Sequence, residues 1–214
     1  MKRIAVIGAG GMAREVKALI QEINRQGPRW EFVGYVVTDC NTLGERDSRN
    51  EVVGDYGWLV ANRVEAVTIG IGTPAARLKV MREIKALLPG MEFPALLHPT
   101  AIVDQESLRI GEGTLVCAGV VSTVNIELGR FSLCNFGCTL GHEARVGEGS
   151  VINPGANISG GVWIGDGVLV GTGAQVLQYR TVGDYATVGA GAVVTNDVPA
   201  NATVVGVPAR ALAK

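Results

Sequence analysis

Val146-Gly147-Glu148-Gly149-Ser150-Val151-Ile152-Asn153-Pro154-Gly155-Ala156-Asn157-Ile158-Ser159-Gly160-Gly161-Val162-Trp163-Ile164 is the stretch that decides the fold. An aliphatic returns every six residues (Val146, Ile152, Ile158, Ile164), and a small or β-branched residue follows each by four (Ser150, Ala156, Val162). The same register runs outward to Ile110 and to Val194, and thirteen of its fifteen aliphatic slots are filled by Ile, Leu or Val. Ser122 and Cys134 are the exceptions, and Arg180 breaks the second slot. The residue after the aliphatic is often glycine (Gly111, Gly129, Gly141, Gly147, Gly165, Gly171, Gly183, Gly189) or asparagine (Asn135, Asn153). Both tolerate positive φ, so a corner is expected there. Each hexad reads as a short strand with one inward aliphatic, then a turn. Burying that side chain is worth about 1.5–3 kcal/mol, whereas ordering each backbone costs about 1–2 kcal/mol. Stability must therefore come from stacked coils and from packing between subunits.

Composition agrees with narrow coils. Of 214 residues, thirty are glycine and only 5% aromatic, with 47% apolar and 18% charged. A formal charge of −1 gives no electrostatic reason to expect nucleic acid or an acidic membrane as partner. No apolar run approaches the roughly 18 residues of a membrane span. Met1-Lys2-Arg3-Ile4-Ala5-Val6-Ile7-Gly8 reads as a first strand and not a signal peptide, so a cytoplasmic protein is expected. Cys40, Cys117, Cys134 and Cys138 form no CxxC pair and no metal-ligand spacing with histidine, so no metal is expected. Cys134 and Cys138 fall in repeat slots and read as core thiols.

Residues 1–97 follow another pattern. Ile4–Ile7 is a short apolar strand, and Gly8-Ala9-Gly10-Gly11-Met12-Ala13 fits the G-x-G-x-x-G/A phosphate-binding turn. A helix is expected from Arg14 to Ile23, with Val16, Leu19, Ile20 and Ile23 on one face. Strands over Phe32–Val37 and Ala66–Ile71, a helix over Ala75–Leu88, and Phe93–Leu97 leading into His98-Pro99 complete a Rossmann-like alternation. Only about 95 residues are available, which suits a mononucleotide diphosphate at the helix N-terminus better than a dinucleotide. The predicted architecture is an N-terminal α/β Rossmann-like domain over residues 1–97, followed by a parallel β-helix domain with a C-terminal tail over 98–214.

The hexads, with Thr195-Asn196-Asp197-Val198-Pro199 and Val205-Gly206-Val207-Pro208-Ala209-Arg210 at the end, resemble the hexapeptide-repeat acyltransferases. That resemblance implies a left-handed parallel β-helix of three hexads per coil, a homotrimer, and acetyl-CoA as co-substrate. Nearly the whole chain is similar to one branch, the sugar acetyltransferases with an N-terminal nucleotide-sugar domain. This branch includes the bacillosamine- and perosamine-type N-acetyltransferases and the sialic acid O-acetyltransferases. The matching residues are the Gly8–Ala13 turn, Gly34, Gly72, His98-Pro99-Thr100-Ala101, Gly141-His142-Glu143 and Gly206-Val207-Pro208-Ala209. The branch commonly carries two aspartates at the end of the second strand. Here Val37-Thr38 stand in those positions, with Asp39 and Cys40 just beyond.

His142 follows the corner glycine Gly141 and should project outward. With 18 residues per coil, Gly160 lies above His142 and Gly161 above Glu143, and the two bare positions leave a gap for a slender ligand. Acetyl transfer from a thioester needs a base for the attacking amine or hydroxyl, and histidine suits it. Glu143 is expected to hold the imidazole in the useful tautomer, and a backbone N–H near Gly160 to meet the oxyanion. Asn135, stacked on Asn153, is expected to orient a carbonyl or amide of the substrate. Gly10, Gly11, Met12, Asp39 and Gly72 are expected to hold the nucleotide. By resemblance, coenzyme A would run from Gly160 past Thr172 and Ala190 toward Pro208. The expected reaction is direct N-acetylation of a UDP-linked 4-amino sugar.

Other readings compete. The sialic acid O-acetyltransferase reading leaves the Gly8–Ala13 turn without an obvious ligand. A hexapeptide-repeat zinc hydratase needs three histidines per site, and the β-helix offers one per subunit. A non-catalytic nucleotide-sugar-binding β-helix would release no thiol from acetyl-CoA. A nicotinamide-dependent oxidoreductase would leave the β-helix unexplained.

Overall fold

The structure, a computed structural model, describes residues 1–212; Ala213 and Lys214, the end of the expected C-terminal domain, lie outside the described residues. Strand β1 (Lys2–Ile7) enters helix α1 (Gly11–Gln26) through the glycine turn, and β2 (Trp30–Val36) follows. A loop with two single 3-10 turns leads to β3 (Val52–Gly54), α2 (Tyr56–Ala61), β4 (Ala66–Ile69) and α3 (Pro74–Leu87). The four strands form a parallel sheet in the order β3-β2-β1-β4. The chain turns to opposite sides after β1, so the crevice at the carboxyl ends of β1 and β4 is where ligands bind in such sheets. Helix α1 runs longer than its apolar stripe suggested, and β3 and α2 carried too little periodicity to be foreseen. Of the expected segment Phe93–Leu97, only β5 (Leu96–Leu97) is a strand.

From β5 onward the chain winds as a left-handed parallel β-helix. The first face stacks Leu96–Leu97, Leu115–Val116, Leu133–Cys134, Val151–Ile152, Leu169–Val170 and Thr187–Val188. The second stacks Val121–Ser122, Thr139–Leu140, Asn157–Ile158, Gln175–Val176 and Val193–Val194. The third stacks Arg109–Ile110, Glu127–Leu128, Arg145–Val146, Trp163–Ile164 and Thr181–Val182. Partners are 18 residues apart, as Thr139 on Asn157 and Arg145 on Trp163. Inward aliphatics from all three faces fill the bore, and Cys134 and Cys138 are wholly buried among them. The small slots close the corners, where Ser150 Oγ donates to Gly165 O at 2.7 Å and accepts from Val168 N at 2.8 Å.

The glycines that follow the aliphatics do a different job from the expected one. None of them, nor Asn135 or Asn153, has positive φ; the left-handed corner residues sit two positions later, for example Gly149, Gly155 and Gly167. Gly141 and Gly171 are glycine because a Cβ would fall 2.5 Å from the backbone nitrogens of Gly160 and Ala190 in the coil above. Close approach of stacked coils, and not φ, selects the residue type there.

The two halves share a packed seam. Leu115, Leu133 and Val151 point outward from the first face and would be exposed in a bare β-helix, yet they are fully buried with α1 residues Val16, Leu19 and Ile20. Helix α3 closes the corner between the third and first faces. There Leu78 fills the space over Gly149, and Arg77 is fully buried. Arg77 Nε and Nη2 donate to Phe131 O at 3.1 and 3.0 Å, and Nη1 donates to Ile69 O and Ile71 O at 2.9 and 2.8 Å. Burial lowers its pKa to about 10, so it stays charged at neutral pH, held by these carbonyls.

Candidate functional site

His142 stands on the corner between the second and third faces. Its imidazole rises from its own coil and lies across Gly160 in the coil above. A Cβ on Gly160 would fall 2.5 Å from His142 Cε1 and closer still to Nε2. The gap expected over the histidine is therefore filled by the histidine itself. Gly161 is also covered: the Tyr179 ring descends from the next coil, and a Cβ on Gly161 would fall 2.6 Å from Cε1. Sequence reasoning missed Tyr179, and its spacing of 18 residues from Gly161 was the available signal. Glu143 holds φ 62°, and its Oε2 is 3.6 Å from His142 Nδ1, with both side chains more than half exposed. This is ion-pair distance, and in apo sites such contacts tighten on substrate binding. Gly161 N–H is taken by His142 O at 2.7 Å. Gly160 N–H has no acceptor among the described residues.

The remaining expected residues divide between two places on the β-helix. Asn135, Thr172 and Ala190 lie on the corner between the first and second faces, one side of the triangle away from His142. Asn135 is buried, and its Oδ1 accepts from Phe136 N at 2.9 Å within its own turn. Pro208 lies over the second face, where the flanking loop pairs with Val193 through Gly206 O (3.0 Å) and Ala209 N (2.7 Å). A path from Gly160 to Pro208 follows that face past Gln175; Thr172 and Ala190 flank its far edge.

In the N-terminal domain Gly10 caps α1 with no side-chain hydrogen bond, and the first turn holds no acidic residue. The first-turn amides of Gly11 and Met12 have no side-chain acceptor among the described residues. Gly72 lies in the loop after β4, across the crevice, with open space around its Cα. Asp39 is exposed and turned to its own loop, where its carboxylate accepts from Asn41 N at 2.8 Å. The carboxylate beside the glycine turn belongs instead to Asp47, 3.4 Å from where a Cβ on Gly10 would lie. Its loop is fastened to the turn by Ser48 N donating to Ala9 O (2.9 Å) and Arg14 Nη1 donating to Arg46 O (2.7 Å). Neither Asp47 nor Arg14 was singled out from the sequence, because the loop has no periodicity to place it.

Two protein families match the chain: the PglD N-terminal domain over residues 3–84, and the bacterial transferase hexapeptide (six repeats) over 143–178 and 161–196. The acetyltransferase domain of PglB from Neisseria gonorrhoeae is 32% identical, covering 99% of this chain and 100% of its own, with a TM-score of 0.83. The chain belongs to the hexapeptide-repeat sugar acetyltransferases. WeeI from Acinetobacter baumannii is 31% identical over 99% of this chain and 100% of its own, with a TM-score of 0.83. A histidine-to-asparagine mutant of perosamine N-acetyltransferase from Caulobacter crescentus was solved with CoA and GDP-perosamine. It is 28% identical, with coverage of 100% and 98% and a TM-score of 0.88. No curated protein matches the sequence. The corner histidine, the bare Gly160 and the nucleotide-type crevice thus sit in an acetyltransferase of this family. Among the described residues no three His, Cys, Asp or Glu side chains gather as a metal site, and no helix is long and apolar enough to cross a membrane.

Proposed function

We propose that this acetyltransferase moves the acetyl group of acetyl-CoA onto the amine of a nucleotide-linked 4-amino sugar, with UDP as the expected nucleotide. The observation that carries the reading is His142 laid on Gly160, with Glu143 on one ring nitrogen and the free Gly160 N–H beside it. His142 removes the proton from the attacking amine, and Glu143 favours the charged imidazole that results. Gly160 N–H meets the carbonyl oxygen as it gains charge. The free first-turn amides of α1 hold the diphosphate. The structures solved with CoA and GDP-perosamine support both the donor and the acceptor class. No covalent acyl-enzyme is required. Cys117 is buried, which pushes its thiol up to about 12, and Cys134 is raised by its contact with Cys138 and by burial; neither is a nucleophile at neutral pH.

The assembly is a homotrimer. Val124, Leu177, Tyr179 and Trp163 leave an exposed apolar band along the His142 corner and the adjoining third face. A second copy covering that band would supply the wall that excludes water from the histidine. Light scattering should give three times 22.3 kDa, and a fully active monomer would contradict this.

The reaction is tested by thiol release from acetyl-CoA against UDP- and GDP-linked 4-amino sugars and free sialic acid. Turnover with a nucleotide amino sugar, giving a hydroxylamine-resistant amide, is the expected result. Turnover of free sialic acid alone would make the protein an O-acetyltransferase.

A further inference from the structure

The strip formed by Gly160 and Gly161 is covered from two directions, by His142 from the coil below and by Tyr179 from the coil above. Consecutive Cα atoms are about 3.8 Å apart, so the two rings are neighbours on the surface. Tyr179 holds φ 58°, in the left-handed region that disfavours any residue with a Cβ. It is 65% exposed in the single chain, within the apolar band that a second copy would cover. The same left-handed φ recurs at this corner position in Asn125, Phe131 and Glu143, so the φ belongs to the coil and what singles out Tyr179 is the place of its ring.

The molecule contains its own comparison. Tyr185 also has φ 58°, is 52% exposed, and lies over a bare glycine, Gly167, in the coil below. Ring over glycine is thus a device this β-helix uses for packing. Tyr185, however, stands on the corner covered by α3, away from any candidate catalytic group, whereas Tyr179 adjoins the imidazole.

We propose that Tyr179 is a specificity-determining residue: it closes the bare strip beside His142 and restricts the transferred group to a short acyl chain. This rests on the reading of His142 as the acyl-transfer site. Without the ring, the surface of Gly161 would extend the strip from the imidazole to the next coil, about 4.8 Å above. A longer acyl chain could lie along that groove. With the ring in place the bare strip ends at Gly160, under the imidazole, and a longer acyl chain directed that way meets the phenol ring.

The test compares kcat/KM for acetyl-CoA and butanoyl-CoA in the wild-type protein, Tyr179→Gly and Tyr185→Gly, with one nucleotide amino sugar as acceptor. Glycine suits the left-handed backbone at both positions, so both variants should fold, and thermal unfolding checks that they do. The wild-type protein should favour acetyl by roughly tenfold or more, the usual worth of added methylenes against a closed pocket. Tyr179→Gly should reduce that ratio by roughly tenfold, and Tyr185→Gly should leave it unchanged. An unchanged ratio in Tyr179→Gly, or an equal change in both variants, overturns the assignment. If the wild-type protein transfers neither group to any acceptor, the acyl-transfer reading itself fails and this inference falls with it.

Discussion

The imidazole of His142 rests on the Cα of Gly160, one coil above, in space that any side chain at 160 would occupy. Gly160 is therefore part of how the histidine is held. Gly160→Ala should displace the ring while leaving the buried bore intact. We expect turnover to fall by roughly 10²-fold, as for catalytic groups displaced by about 1 Å, with little change in unfolding temperature. Wild-type turnover in Gly160→Ala would show that the contact does not matter.

The two classes of glycine should respond differently to alanine. At Gly147 a Cβ would fall 2.5 Å from Asp166 Oδ1 and closer still to the Gly165 carbonyl, so the coils would have to part. At Gly155 nothing lies within 4 Å, and only the left-handed φ of 66° resists. Gly155→Ala should cost about 1 kcal/mol, and Gly147→Ala distinctly more. Denaturant unfolding measures both, and equal losses would mean that coil spacing adapts freely.

Arg77 is expected to be the most sensitive single position at the seam. Arg77→Met removes four hydrogen bonds and takes the donor from the buried carbonyls of Phe131 and Ile69 and from the half-buried one of Ile71. Unsatisfied buried groups cost about 1–3 kcal/mol each. Loss of at least 3 kcal/mol, or an insoluble protein, is the expected outcome of thermal or denaturant unfolding. A loss below about 1 kcal/mol would mean that water reaches these carbonyls.

Much of this was legible in the sequence, for physical reasons that differ by residue. The β-helix was readable because every sixth residue from Ile110 to Val194 faces the same bore, so the constraint repeats in the chain itself. The placement of His142 beneath Gly160 was readable, since stacking by 18 converts sequence distance into contact. The job of Gly147 was not, because glycine answers equally to positive φ and to close approach, and only the neighbouring coil separates the two. Arg77 reads as an ordinary helix-surface cation; its burial depends on Phe131, 54 residues away. Asp47 rather than Asp39 reaches the glycine turn because a non-repeating loop folds back through Ser48 and Arg46, which no periodicity encodes.

Nucleotide binding can be tested apart from chemistry. The first turn of α1 has no acidic side chain, and Gly11 faces open space except for Arg14 Nη2, 3.8 Å from where a Cβ would lie. UDP should bind by calorimetry. Gly11→Glu should abolish that binding by setting a carboxylate where the phosphates sit, without unfolding the domain, since an acidic residue suits a helix N-terminus. Equal affinity in both proteins would place the nucleotide elsewhere.

The most direct test of the central claim is the turnover of His142→Ala with acetyl-CoA and the best nucleotide-linked amino sugar, on protein with wild-type circular dichroism and assembly. If His142 is the general base, turnover should fall by roughly 10²–10⁴-fold, the usual contribution of such a group. Wild-type turnover in that variant would contradict the assignment of this corner as the site of acetyl transfer.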